Sequence, residues 1–277
     1  MACGHNCDSC GESCSQRDKK STLEKPNAGT TVKKVIAVVS GKGGVGKSLI
    51  TSLSAVTARK LGYRVGILDA DITGPSIPQA FGIHEKASGS EMGLFPLQSK
   101  GGVRVMSLNL LLAAESDPVV WRGPVIAGAV KQFWTDVVWG DLDYLFIDMP
   151  PGTGDVPLTV FQSIPVDGIL IVTSPQELVT MIVEKAVNMA KLMNIPILGL
   201  IENMRFVQCP HCGEKHELFG GGSLEETAKH YGIEPLFSLP LSRELSKLSD
   251  EGRIEACEMD LSPLEKLLLK LLPKTRK

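Results

Sequence analysis

The chain has 277 residues, 22% of them charged, and a formal net charge of −2, a balance that argues against general nucleic-acid binding. No apolar run approaches the ~18 residues of a membrane span and the N-terminus lacks the hydrophobic core of a signal peptide, so the expectation is a cytoplasmic protein. With 43% hydrophobic residues such a chain can bury one large core, and α/β folds of ~250 residues commonly form a single domain.

Residues 1 to about 30 carry almost no large apolar side chain and read as a flexible tail ahead of one domain over 31–277. Within the tail Cys3, Cys7, Cys10 and Cys14 stand close enough for four thiolates to converge on one site. Zn2+ and a 4Fe-4S cluster both suit that ligand set, and binding would itself supply the folding energy. All seven cysteines, in a reducing compartment, read better as ligands than as disulfides.

From Val32 onward short apolar runs alternate with longer amphipathic stretches, the signature of βαβ units. The pattern predicts strands at 35–39, 65–69, 103–107, 144–148, 168–173 and 197–202. Helices are predicted at 47–61, 124–139, 176–193, 223–231, 241–251 and 263–272. The fold class is α/β, a doubly wound, mainly parallel sheet, whose ligands bind beyond the carboxyl ends of the strands.

The first strand runs into Gly41, Lys42, Gly43, Gly44, Val45, Gly46, Lys47 and Ser48, and a helix follows. This is the P-loop pattern G-x-x-x-x-G-K-[ST]: glycines let backbone N–H groups curl around phosphate, and the helix N-terminus adds a favourable dipole. Lys47 is expected on the β- and γ-phosphates and Ser48 on Mg2+. The second strand ends in Asp69 and Asp71, carboxylates suited to the metal's outer shell and to orienting the attacking water. Asp71 is assigned to the water and Asp69 to the metal, although the two roles are interchangeable at this level. Asp148 after the fourth strand forms a Walker B pattern and is expected on Mg2+; Asp155 reads equally as a helix cap or a switch residue.

Farther on, Cys209 and Cys212 stand one turn apart with His211 and His216 nearby. One chain could complete a zinc site with a histidine, whereas two chains meeting on a two-fold axis would supply the four cysteines of a 4Fe-4S cluster. Cys257 has no partner in sequence and reads as a buried thiol. Near the end Leu264, Leu267, Leu268, Leu271 and Leu272 share one helical face, which reads as core in preference to a lipid-binding face.

With Lys42 directly after its first glycine, KGGVGKS resembles the deviant Walker A ATPases, which include MinD, ParA, the nitrogenase iron protein and the Mrp iron-sulfur carriers. That resemblance implies that Lys42 reaches across a homodimer to the partner's nucleotide and acts in catalysis with Asp71. The segments D-A-D-x-x-G-P-S from Asp69 and D-x-P-P-G-T-G-D from Asp148 are similar to those of the Mrp (ApbC) branch. Glu202-Asn203-Met204 resembles that family's N-M pair, which implies that the Asn203 amide reads the adenine edge. The Mrp resemblance covers about residues 32–272, and the spacing of the tail cysteines departs from it. It implies an ATP-hydrolysing homodimer that holds a labile 4Fe-4S cluster between the Cys209 and Cys212 pairs. The cluster would pass to apo iron-sulfur proteins, with scaffold proteins as further partners. The alternative is a MinD/ParA-like positioning ATPase whose C-terminal helix binds membrane.

Overall fold

Strands that are apolar along both faces must be covered on both, and that requirement organises the whole chain. The computed structural model describes residues 23–72, 74, 76–112, 123–175, 179–218 and 224–274, so the four tail cysteines lie outside the described residues. Apart from a short two-stranded pair at Gly89–Ser90 and Gly93–Leu94, the strands among the described residues are β1 (Thr30–Val39), β2 (Val65–Asp69), β3 (Leu97–Gln98), β4 (Arg104–Met106), β5 (Gly140–Asp148), β6 (Gly168–Thr173), β7 (Ile197–Glu202), β8 (Phe206–Gln208), β9 (Lys215–Glu217) and β10 (Pro235–Ser238). Eight of them form one sheet in the order β10-β7-β6-β1-β5-β2-β4-β3, with only the β3–β4 pair antiparallel; β8 and β9 make a separate hairpin.

The helices are α1 (Lys47–Lys60), α2 (Ile77–Ala80), α3 (Gly123–Thr135), α4 (Asp155–Ser163), α5 (Val179–Leu192), α6 (Leu224–Tyr231), α7 (Arg243–Asp250) and α8 (Ser262–Leu271). Alternation along β1 sends Val35, Ala37 and Val39 into one core with residues of α3 to α6, and Ile36 and Val38 into a second core with residues of α1, α2, α7 and α8. The arrangement is that of a P-loop NTPase.

Several boundaries differ from the sequence pattern. The helix expected over 124–139 stops at Thr135, because Val137 bridges Leu94 and the wholly buried Trp139 turns inward to donate from its ring nitrogen to the Phe133 carbonyl at 2.9 Å. Helix α4 was hidden between prolines and glycines; Pro157 sits in its first turn, where no N–H is needed. Asp155 is the first residue of α4 and Gly154 the cap, so the aspartate serves the helix dipole and not the cap itself. Edge strand β10 and the β8–β9 hairpin were too short to read by period.

The tail expected to run to residue 30 ends earlier. The Glu24 amide donates to Ser163 at 2.8 Å, its carbonyl accepts from the Trp134 ring at 3.0 Å, and its carboxylate pairs with Lys131 at 2.6 Å. Asn27 adds a bond to the Met92 carbonyl at 2.9 Å. Backbone and polar anchors replace the apolar ones whose lack suggested disorder.

Helix α8 closes the second core. Leu264 and Leu268 are fully buried, Leu267, Leu271 and Leu272 pack against the same cluster, and the Tyr144 hydroxyl donates to the Leu268 carbonyl at 2.6 Å. Cys257 lies buried in that core. The leucine face is therefore occupied by packing, as the periodicity suggested, and no helix among the described residues is long and apolar enough to cross a membrane. Leu268→Ala is expected to lower stability by about 2–5 kcal/mol in urea unfolding. Leu269→Ala, whose side chain points outward, is expected to stay within about 0.5 kcal/mol; equal effects of the two would contradict this packing.

Candidate functional site

The glycine loop after β1 turns sharply enough to aim its amides inward only because Gly44 and Gly46 adopt φ of 79° and 83°, open to glycine and strained for other residues. Gly46 is also crowded: a Cβ there would stand 2.1 Å from the Asn203 amide nitrogen. Helix α1 then starts with no side-chain cap and no acid in its first turn. Its leading N–H groups thus have no side-chain acceptor, an arrangement that suits an anion. In front lies a cleft of about 370 Å3 lined by the loop from Lys42 to Ser48, by Asp71 and by Pro151. Val45 takes part through its backbone alone, since its side chain is in the core.

Behind the loop two strand ends bring their carboxylates side by side. Asp69 and Asp148 are paired in register across β2 and β5, and are 1% and 0% exposed. Lys47 lies between the acids, 3.2 Å from Asp148 Oδ1 and 3.4 Å from Asp71 Oδ2. The Ser48 hydroxyl donates to Asp148 Oδ2 at 2.6 Å, and the Thr51 hydroxyl stands 2.8 Å from Asp148 Oδ1. Burial pushes both buried carboxyls up; for Asp148 this is opposed by Lys47, Ser48 and Thr51. Asp69 is driven well above the ordinary range, by burial and then by Asp148. Its Oδ2 and the Ser107 hydroxyl are both buried with no well-formed hydrogen bond, although Ser107 is near enough to draw the carboxyl partly back down. Lys47, Ser48 and Thr51 thus offset the cost of burying charge on Asp148, whereas Asp69 has less to offset it. An orphaned carboxylate oxygen beside a serine hydroxyl and a second carboxylate is a donor set that fits a hard divalent cation.

Asn203, expected at the adenine edge, is 1% exposed, and in the nucleotide-free chain its amide donates to the Val45 carbonyl at 3.0 Å and so braces the P-loop. The physical reason is its position immediately beyond β7, where its backbone N–H bonds Thr173 at 2.8 Å and holds it against Gly46.

Cys209 and Cys212 sit at the tip of the β8–β9 hairpin, the first half-buried and the second exposed. The Gly213 N–H donates to the Cys209 carbonyl at 2.9 Å and the Cys209 N–H to Glu214 at 2.9 Å, forming a tight turn. Amide hydrogens of Cys212 and His211 point at the Cys209 sulfur and hold its thiol below the ordinary value. His211 and His216 are exposed, and among the described residues no group of three or more His, Cys, Asp or Glu gathers to hold a metal. A single described chain thus presents two thiols and no third ligand.

The structure gathers Lys42, Lys47, Ser48, Asp69, Asp71 and Asp148 at one end of the sheet and the cysteine pair on a hairpin springing from the same end. Sequence reasoning missed Thr51, legible in hindsight as one turn beyond Lys47 on the same helical face. It also missed Ser249 and Asp250 of α7, which line the cleft although far away in sequence.

A family model described as ParA, NUBPL iron-transfer P-loop NTPase, matches residues 31–275. An iron-sulfur cluster carrier protein of Methanocaldococcus jannaschii is 44% identical over 257 residues, 90% of this chain and 89% of that protein. One from Clostridium perfringens is 43% identical over 263 residues, covering 88% and 92%. A nucleotide-binding protein from Archaeoglobus fulgidus, solved in complex with ADP, is 47% identical with a TM-score of 0.74, over 83% of this chain and 90% of that one. A chain of a MinC:MinD cell division protein complex from Aquifex aeolicus superposes with a TM-score of 0.62 at 19% identity, over 88% of this chain and 97% of that one, a likeness of fold.

Two outcomes follow from the geometry. Because Asn203 acts through the loop, Asn203→Ala is expected to weaken ATP and GTP binding alike in titration calorimetry; a loss confined to ATP would restore the adenine role. Asp69→Asn removes a carboxyl that burial penalises when ionised. It is expected to raise the melting temperature of the nucleotide-free protein, by an amount that is nil below the ordinary carboxyl value of 3.8 and grows as pH rises through the elevated folded value. The same variant is expected to weaken Mg2+-dependent nucleotide binding, and an unchanged melting temperature at neutral pH would contradict the assignment.

Proposed function

The chain belongs to the ParA family of NUBPL iron-transfer P-loop NTPases, and from that premise we propose that it is a homodimeric ATPase that carries a labile 4Fe-4S cluster and passes it to apo iron-sulfur proteins. The observation that carries the reading is the hairpin tip with half-buried Cys209 and exposed Cys212, which offers half of a four-cysteine site. Two chains meeting at these tips would supply the full ligand set.

In the nucleotide site the loop amides and α1 cradle the phosphates, and Lys47 moves from the carboxylates onto the β- and γ-phosphates. Ser48 and Asp148, with Asp69 behind them, would hold Mg2+, which when bound neutralises charge on the phosphate oxygens. Asp71 orients the attacking water. Lys42, on the open side of the cleft, reaches the nucleotide of the second chain and makes hydrolysis depend on dimer closure. A cytoplasmic setting suits exposed thiols of this kind. The tail cysteines Cys3, Cys7, Cys10 and Cys14 offer a second site, for Zn2+ or a further cluster.

Lys47→Ala is expected to abolish tight ATP binding, whereas Lys42→Ala and Asp71→Ala spare binding and lose hydrolysis, since they act on charge and water in the transition state. Wild-type turnover in all three would sink the nucleotide assignment. For the cluster, the full chain with Cys3, Cys7, Cys10 and Cys14 changed to Ser is expected, after anaerobic reconstitution, to gain about four irons per dimer. Further change of Cys209 or Cys212 to Ser is expected to remove them. A full cluster on a monomer, or one surviving both changes, would refute the bridging site.

A further inference from the structure

Among the described residues the cysteine hairpin is joined to the body of the protein at two anchors, and both lead back to the nucleotide cleft. At the first, Arg205 forks between two carboxylates. Its guanidinium lies 2.9 Å from Glu217 Oε2 on β9 and 3.5 Å from Glu202 Oε1 at the end of β7. Glu202 is buried, with the Ser238 hydroxyl donating to its other oxygen at 3.2 Å. Two residues before Arg205 stands Asn203, whose amide holds the P-loop carbonyl of Val45. Met204 between them takes a left-handed φ of 61°, which sets the angle between the two grips. At the second anchor the Arg205 amide donates to Leu239 at 2.9 Å and the Leu241 amide to Phe206 at 2.8 Å. Leu241 leads directly into α7, whose last turn lines the cleft through Ser249 and Asp250 and accepts from Gln79 at 2.8 Å.

From this we infer that Arg205 is a positioning residue: clamped between Glu202 and Glu217, it makes the setting of the cysteine hairpin follow the state of the P-loop. Its use in cluster handling rests on the function proposed above, but its geometry does not. The contact at the loop is close, because the buried Asn203 fills the space a side chain on Gly46 would need and is hydrogen-bonded to Val45. A shift of the Val45 carbonyl on phosphate binding is therefore passed to the backbone of Asn203 and on to Arg205. A guanidinium transmits orientation better than an ammonium would, since its planar fork fixes two carboxylates relative to each other. Glu217 is the exposed end of the clamp, with 56% of its side chain open to solvent, so the hairpin is the element free to move. Coupling of this kind is reciprocal: a ligand on the cysteines would alter nucleotide affinity by the same factor.

Glu217→Ala cuts the clamp at its exposed end and leaves the buried Glu202–Arg205 pair and the nucleotide cleft intact. The test is amide hydrogen exchange on the full, cluster-free chain with and without Mg-ADP. In the wild type, exchange of residues 206–217 is expected to change by about fivefold or more on nucleotide binding. In Glu217→Ala that dependence is expected to vanish with Mg-ADP affinity unaltered, and Glu217→Gln, which keeps one acceptor, is expected to fall between. A mere staple would loosen the hairpin equally in both nucleotide states. The inference is overturned if the wild-type hairpin ignores nucleotide, or if Glu217→Ala keeps the wild-type response. On reconstituted protein, the ratio of iron-stripping rates by a ferrous chelator in Mg-ATP and Mg-ADP is expected to move to one in Glu217→Ala, and a ratio held at the wild-type value would count against the inference. If the wild type takes up no cluster, the carrier reading fails, while the exchange experiment still decides the role of Arg205.

Discussion

A single buried cation governs the nucleotide end of this molecule. Asp148 and Asp69 face each other at adjacent strand ends with almost no exposure, and an interior of low dielectric does not hold two such charges without compensation. Lys47 is the compensation, and the hydroxyls of Ser48 and Thr51 complete the shell around Asp148. Removing one member of a buried pair costs about 3–5 kcal/mol because the other is left uncompensated. The same arithmetic links nucleotide to metal. When phosphate draws Lys47 away, the carboxylates lose their cation, so a site built this way favours a phosphate ligand that arrives with a cation of its own.

The fold brings these groups together because parallel strands all point one way. Each functional group follows the carboxyl end of a strand: the P-loop after β1, Asp69 and Asp71 at β2, Asp148 at β5, and Glu202 to Arg205 at β7. Coverage of both faces of the sheet leaves only that end open for a ligand. The P-loop can therefore be read from both sides at once, phosphate above and Asn203 below.

Much of this was legible in the sequence, for reasons that differ by residue. The buried strands announced themselves because a strand hidden on both faces needs an unbroken apolar run, as in Tyr144 to Ile147. The loop and the three aspartates were legible because each stands where an apolar run stops. Thr51 could have been read one turn beyond Lys47, whereas Ser249 and Arg205 could not, since their roles arise from packing between segments distant in sequence. Asn203 was assigned to the base by likeness of motif, yet whether an amide beside Gly46 faces the cleft or the loop depends on side-chain direction, which no motif carries. The anchored segment from Glu24 to Gly29 was misread as tail because composition registers apolar surface and overlooks backbone hydrogen bonds.

The cysteine hairpin shows the opposite economy. Its strands are three residues each, too short to be stable alone, and its tip is exposed. It is held by two backbone hydrogen bonds to the Leu239–Leu241 segment and by Arg205, which ties it to Glu202, a carboxylate that burial pushes up and Arg205 pulls back down. A site that releases a cluster, as proposed above for these cysteines, would gain from such a mount. Ligands seated on the rigid sheet would hold a cluster too firmly to exchange, and ligands on a free loop would lose the order needed to bind one. A two-stranded tip held by two backbone hydrogen bonds and one ion-paired fork lies between those limits, and its hold can be altered by moving a single anchor.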